Sequence, residues 1–206
     1  MGPDIILILV VGAGLAFDFT NGFHDTANAM ATSIATGALK PRVAVLLSAA
    51  LNFAGAFISI TVAGAIANGI INPHVLAGGN GLELVLAALS GAMTWNIITW
   101  YFTIPSSSSH ALIGGVIGAT LVASGSGAIN WHNLLRSVAT PAVLSPIVAC
   151  VVALIGTSGA YRLIRHLGEQ HARKGYRFGQ IGSASLVSLA HGTNDAQKTM
   201  GVSPSR

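Results

Sequence analysis

Apolar residues fill most of positions 4–37, but Asp18-Phe-Thr-Asn21-Gly22-Phe-His24-Asp25 interrupts the run at its middle. One helix of ~34 residues would be ~50 Å long, against a hydrocarbon core of ~30 Å. The pattern therefore predicts two half-helices meeting at a polar break. Lys40-Pro41-Arg42 reads as a basic turn, 43–71 as a full span and 72–81 as a polar, glycine-rich loop. Residues 84–104 form another span ending in Trp95, Trp100, Tyr101 and Phe102, types that favour a membrane interface. After Pro105 and four serines, the apolar run 111–123 is too short for a standard crossing. It predicts a half-helix or a re-entrant segment. Residues 124–133 read as a loop and 138–164 as a span with Pro141 and Pro146 near its start. A basic stretch follows, and a last apolar segment begins at Gln180.

Charge sharpens this into a topology. Of 206 residues, 52% are hydrophobic and 8% charged, with a mean hydropathy of +0.68. Soluble domains carry about 25% charged residues, so this is a membrane chain. The net charge of +4 gives no reason to expect nucleic acid, because the basic residues sit in two clusters between apolar spans. Five of the ten Lys and Arg residues lie between Arg162 and Arg177. The positive-inside bias puts that stretch and Lys40/Arg42 in the cytoplasm, with an even number of crossings between them. If 4–37 is one broken crossing, the N-terminus lies outside. No basic n-region precedes the first apolar run, so it reads as a retained membrane segment rather than a cleavable signal. Cys150 is the only cysteine and forms no intrachain disulfide.

Two stretches look like copies. Gly22-Phe-His-Asp25-Thr-Ala-Asn28-Ala-Met30 recurs as Gly192-Thr-Asn194-Asp195-Ala-Gln197-Lys198-Thr-Met200. A carboxylate in a lipid-embedded segment is costly and marks an ion or substrate path. Paired copies in two halves of a membrane chain are the mark of repeat-built transporters. Asp25 has no basic neighbour in its own segment, so it calls for a cation, a proton or a distant partner. Carboxylate, amide and hydroxyl oxygens suit a hard cation such as Na⁺, and a proton fits equally. Helix capping is the structural alternative. Asp195 and Lys198 are three apart and can neutralise one another on a helix, or Lys198 can stand near an anionic substrate. Asn28 and Gln197 are site candidates or helix bridges. His24 and His191 read as hydrogen-bonding residues more readily than as proton relays.

The serine run Ser106, Ser107, Ser108 and Ser109 follows a proline, which ends one helix, and serines are good N-caps for the next. A helix start with free N–H groups, a positive dipole end and hydroxyls makes an anion site. A capped start facing a wet loop is the alternative. An intramembrane serine hydrolase would need a histidine facing one serine, but Ser109 and His110 are adjacent and point apart. The chain reads as a non-enzyme.

These motifs resemble the inorganic phosphate transporter (PiT) family, in its bacterial low-affinity subgroup. The resemblance rests on Gly22-Phe-His-Asp25-Thr-Ala-Asn28, Pro105-Ser-Ser-Ser-Ser-His110 and Gly192-Thr-Asn194-Asp195-Ala-Gln197-Lys198, and extends through Trp95-Asn96-Ile-Ile-Thr-Trp100-Tyr101-Phe102. It implies an all-α polytopic membrane fold with broken or re-entrant helices and inverted repeats. The first repeat would be 1–166, a short basic cytoplasmic loop 167–178, and the start of the second repeat 179–206. It implies transport of inorganic phosphate, alone or as a metal–phosphate complex, coupled to H⁺ or Na⁺, by a homodimer in the bacterial plasma (inner) membrane. No cofactor or resident metal is implied. Asp25, Asp195 and Asn194 would take the coupling cation; Ser106–Ser109, Asn28, Gln197 and Lys198 would take the substrate. Sulfate is the alternative anion. His24 stands where the family more often has asparagine. The family also has a second Ser/Thr-His motif and further helices after the second Asp motif, whereas this sequence reaches Gly201-Val-Ser-Pro-Ser-Arg206. The expectation is therefore a truncated chain or a fragment holding part of the phosphate cradle.

Overall fold

The structure is a computed structural model that describes residues 3–58, 70, 81–165 and 169–200, without the side chains of residues 3, 25, 58, 164, 169–171 and 194–200. The helices are α1 (Pro3–Ala35), α2 (Pro41–Ile58), α3 (Gly81–Tyr101), α4 (Ser108–Ser124), a short α5 (Trp131–Leu134), α6 (Thr140–Ile164) and α7 (Glu169–Met200). Among the described residues, three stretches are long and apolar enough to cross a membrane: Asp4–Ala35, Gly81–Tyr101 and Trp131–Leu163.

α1 is continuous, so the break expected at 18–25 is absent. Nothing in that segment forbids a helix. It has no proline, and Gly22 costs about 1 kcal/mol relative to alanine. The Thr20 hydroxyl donates to the Phe17 carbonyl at 2.8 Å, which satisfies it within the helix. A break would also leave backbone groups to be paired elsewhere. Asn21 and His24 turn into helix contacts instead. Asn21 is 2% exposed. At ~1.5 Å per residue the helix is longer than a bilayer core, a mismatch that tilt or a protruding end absorbs.

α1 is the centre of the packing. Its first half runs beside α3, and Val10 and Phe17 pack with Leu89 and Ala92 of α3 and Ala111 and Leu112 of α4. His24 lies against Thr99, 75 positions on, and the same offset takes Phe17 to Ala92. α1 and α3 therefore run parallel. The second half of α1 turns to α2 and α7, where Ala29, Met30, Ala44 and Ala184 form one cluster. α2 and α7 also run parallel: Ser48 meets Ser188, 140 positions on, and the same offset takes Asn52 to Gly192. Small residues make this contact possible. A Cβ on Gly192 would collide with the Asn52 backbone, and one on Gly55 would stand 2.6 Å from the Leu189 carbonyl oxygen. In lipid, where apolar burial drives little, close approach of this kind holds helices together.

The two basic clusters share one end of the molecule, as their charge predicted. Arg177 Nε donates to the Ala38 carbonyl at 3.1 Å, and Thr36 Oγ1 donates to Gln180 Oε1 at 2.8 Å. The basic stretch is nonetheless not a loop over most of its length, because it is helical from Glu169 onward. Alanine, lysine, arginine and glutamine are sound helix formers, and nothing between 169 and 178 is a proline. The loop expected at 124–133 holds a 3₁₀ turn (Ser126–Ala128) and then α5. α5 passes into α6 through a π turn over Leu135–Ala139. Pro141 explains that turn: it has no N–H for the preceding turn and its ring crowds it. Thr140 instead bonds Leu135 O with both its N–H and its hydroxyl, the latter at 2.8 Å. The span expected over 43–71 is helical to Ile58, and its continuation, apart from the buried Ile70, lies outside the described residues.

Candidate functional site

α3 and α4 form an antiparallel hairpin whose joint carries the serine run. α3 ends at Tyr101, and Thr103 takes φ 54 to reverse the chain. This left-handed conformation is uncommon outside glycine. Ile104 N then bonds Thr99 O at 2.8 Å, closing the C-terminus in Schellman fashion. Ser107 is the N-cap of α4, as the sequence predicts, and its Oγ accepts from His110 N at 3.4 Å. Ser108 is buried, Ser106 and Ser109 half-buried, and Ser107 exposed. The first N–H groups of α4 have no helical carbonyl to bond, so they and the hydroxyls converge at the positive end of the helix dipole. Gly115 holds the hairpin tight, since a Cβ there would collide with the Ala88 backbone.

A chain of contacts links this serine run to the first motif copy. Trp95 Nε1 donates to Ser106 Oγ at 3.0 Å. Thr99, one turn further along α3, donates to the Trp95 carbonyl at 2.9 Å and meets His24 Nε2 at 3.5 Å. Phe23 stacks edge-on against Trp100, with ring centroids 5.7 Å apart. One turn before these contacts on each helix stand Asn21 and Asn96, each 2% exposed and related by the same 75-residue offset. Asn21 Oδ1 and Asn96 Nδ2 are buried and have no hydrogen-bond partner among the described residues. A lone acceptor and a lone donor at one level of a helix contact mark a polar pocket, because a buried group without a partner is costly. Sequence pattern alone does not single out Asn21, Asn96 and Thr99, and it marks Trp95 only as an anchor. Polar residues inside the apolar span 84–104 were the signal available.

The second copy rides on α7. Counted from the Thr36–Gln180 contact along two oppositely directed helices, Gly192 lies level with His24. The two copies therefore sit at one depth on antiparallel helices. Beside Gly192, Asn52 Oδ1 is buried without a partner among the described residues, while Asn52 Nδ2 donates to Ser48 Oγ at 3.5 Å.

The structure thus brings Ser106–Ser109 to the end of α3 that contacts the first copy. Asn28 lies on α1 beyond that contact and is exposed. The side chains of Asp25, Asn194, Asp195, Gln197 and Lys198 are outside the described residues; their backbones are helical, on α1 and α7. His191 is half-buried on α7.

Comparison with known proteins gives a consistent picture. Residues 21–171 match the profile of the Phosphate transporter family. A Mycobacterium bovis protein named "Probable low-affinity inorganic phosphate transporter" is 57% identical over 197 residues, which cover 96% of this chain and 46% of that protein. A Bacillus subtilis protein of the same name is 48% identical, over 96% of this chain and 59% of its own length. Escherichia coli "Low-affinity inorganic phosphate transporter PitB" is 36% identical, over 96% and 45%. The chain thus spans about half the length of these relatives. A solved structure, "The sodium-dependent phosphate transporter", superposes with a TM-score of 0.76 at 23% identity, covering 96% of this chain and 66% of that one. That likeness establishes the fold.

Proposed function

The chain belongs to the phosphate transporter family, and from that membership we propose that it forms the phosphate-holding part of a permease that moves inorganic phosphate together with H⁺ or Na⁺. It is a multi-pass protein of the bacterial plasma (inner) membrane. The observation that carries the proposal is the convergence of the serine-capped start of α4 with the first motif copy, through Ser106, Trp95, Thr99 and His24. Phosphate sits at that helix start, bound by hydroxyls of Ser106, Ser107, Ser108 and Ser109 and by the first N–H groups of α4. Asp25 and Asp195, with Asn194, recruit the coupling cation, while Asn28, Gln197 and Lys198 complete the substrate's surroundings. A protonated phosphate can also donate a hydrogen bond to a carboxylate, which sulfate cannot do at neutral pH. The opposite course of α1 and α7, with their copies level, supports an inverted-repeat origin. The same site would admit a neutral metal–phosphate complex. The homodimer implied by the resemblance is open to cross-linking through Cys150, which is exposed on α6.

The test is phosphate binding by the purified chain in micelles, followed with radiolabelled phosphate. Binding should rise with Na⁺ or with acidity, according to the coupling ion. Ser107→Ala combined with Ser108→Ala should weaken it about tenfold or more, as loss of two hydrogen bonds to a charged ligand demands. Unchanged binding in that variant would remove the serines from the site, and equal competition by sulfate would favour the broader anion reading.

A further inference from the structure

Among the described residues, α6 is the least covered helix. The apolar stretch Trp131–Leu163 has none of its length buried, and Val152, Ile155 and Leu163 are 63%, 68% and 76% exposed. At ~1.5 Å per residue, Thr140–Ile164 is somewhat longer than a bilayer core, so its C-terminal turn reaches the headgroup layer. At that turn the surface changes character. Tyr161, Arg162 and Arg165 of the α6 end, with Tyr176 of α7, line a pocket of about 370 Å³. Arg162 and Arg165 are three apart, on one side of the helix, and both are exposed. Neither guanidinium has a partner among the described residues. Arg177 differs, because its Nε is committed to the Ala38 carbonyl.

We propose that Tyr161, Arg162, Arg165 and Tyr176 bind the phosphate group of an anionic phospholipid whose acyl chains lie along the exposed face of α6. Guanidinium groups match phosphate oxygens in pairs, and a tyrosine hydroxyl adds a donor at each side. Basic pockets beside transmembrane helices on the cytoplasmic face take anionic headgroups for this reason. Inorganic phosphate shares the headgroup's chemistry. The uncovered apolar helix running into the pocket argues for the lipid, because its acyl chains cover that helix while its headgroup fills the pocket. The site is separate from the serine run, which lies at the start of α4.

Native mass spectrometry of the full chain, released from micelles containing phosphatidylglycerol or phosphatidylcholine, tests the proposal. The chain should retain phosphatidylglycerol and release phosphatidylcholine. Arg162→Gln with Arg165→Gln should lower retention roughly fivefold per arginine removed. Arg173→Gln with Lys174→Gln, the same charge change outside the pocket, should lower it far less. Tyr176→Phe should give a smaller loss without any change of charge. Circular dichroism of each variant should match the parent, since all of these side chains are exposed. Equal losses in the two double variants would mean diffuse charge and overturn the site. Equal retention of phosphatidylcholine, or displacement of phosphatidylglycerol by millimolar inorganic phosphate alone, would overturn the assignment to a lipid.

Discussion

The two motif copies carry the same glycine for different reasons. Gly22 on α1 has open space where a Cβ would go, whereas Gly192 on α7 is pressed against the Asn52 backbone of α2. The first copy is held by polar contacts, His24 on Thr99 with Asn21 and Asn96 one turn away. The second is held by backbone approach and by the buried Ser48–Ser188 hydrogen bond of 3.1 Å. Copies that share their Gly, Asp and Met positions therefore sit in unlike surroundings. The helices run in opposite directions, so each copy meets a different neighbour. Sequence symmetry constrains what the copies can bind without dictating what supports them.

The largest effect should separate the two glycines. Gly192→Ala should destabilise the fold by about 2–3 kcal/mol, because the methyl meets main chain rather than a flexible side chain. Gly22→Ala should be neutral or stabilise by up to about 1 kcal/mol through helix propensity. Thermal unfolding in micelles, followed by circular dichroism, reads both. A larger loss at Gly22 would reverse the comparison. A middle-sized effect probes the polar side: Asn96→Leu replaces a buried amide, its Nδ2 unpaired among the described residues, with an apolar group of similar size. It should leave stability unchanged or raise it by about 1 kcal/mol. A clear loss would show that Asn96 is fully paired in the membrane. The smallest effect probes the packed side. A double-mutant cycle of Ser48→Ala and Ser188→Ala should give a coupling of about 0.6 kcal/mol, ordinary for hydrogen bonds between membrane helices. Zero coupling would leave the α2–α7 contact to glycine packing alone.

The three long helices along 81–164 and the cap at Ser107 were legible because they rest on local chemistry: run length, proline, and a hydroxyl before an apolar stretch. The shared end of the two basic clusters was legible because charge placement follows the membrane, and Arg177 on Ala38 bears it out. The polar stretch at 18–25 misled, since a polar group breaks a helix only when the fold offers it nothing better. There the fold offers α3, and α1 runs through. The start of α7 misled for the converse reason: its charges read as a loop, while its residues are good helix formers.

By itself the sequence determined the class of this protein, its membrane setting, its two acidic motif copies and the serine-capped helix start. Each of these depends on residue type and spacing within a few turns. Only the tertiary structure decided that Asn21 and Asn96 share a level, that Trp95 holds Ser106, and that the two copies lie at one depth on opposed helices. Those facts depend on the register between helices. Register is set by which small side chains let two backbones approach, and that is a property of pairs of helices far apart in the chain.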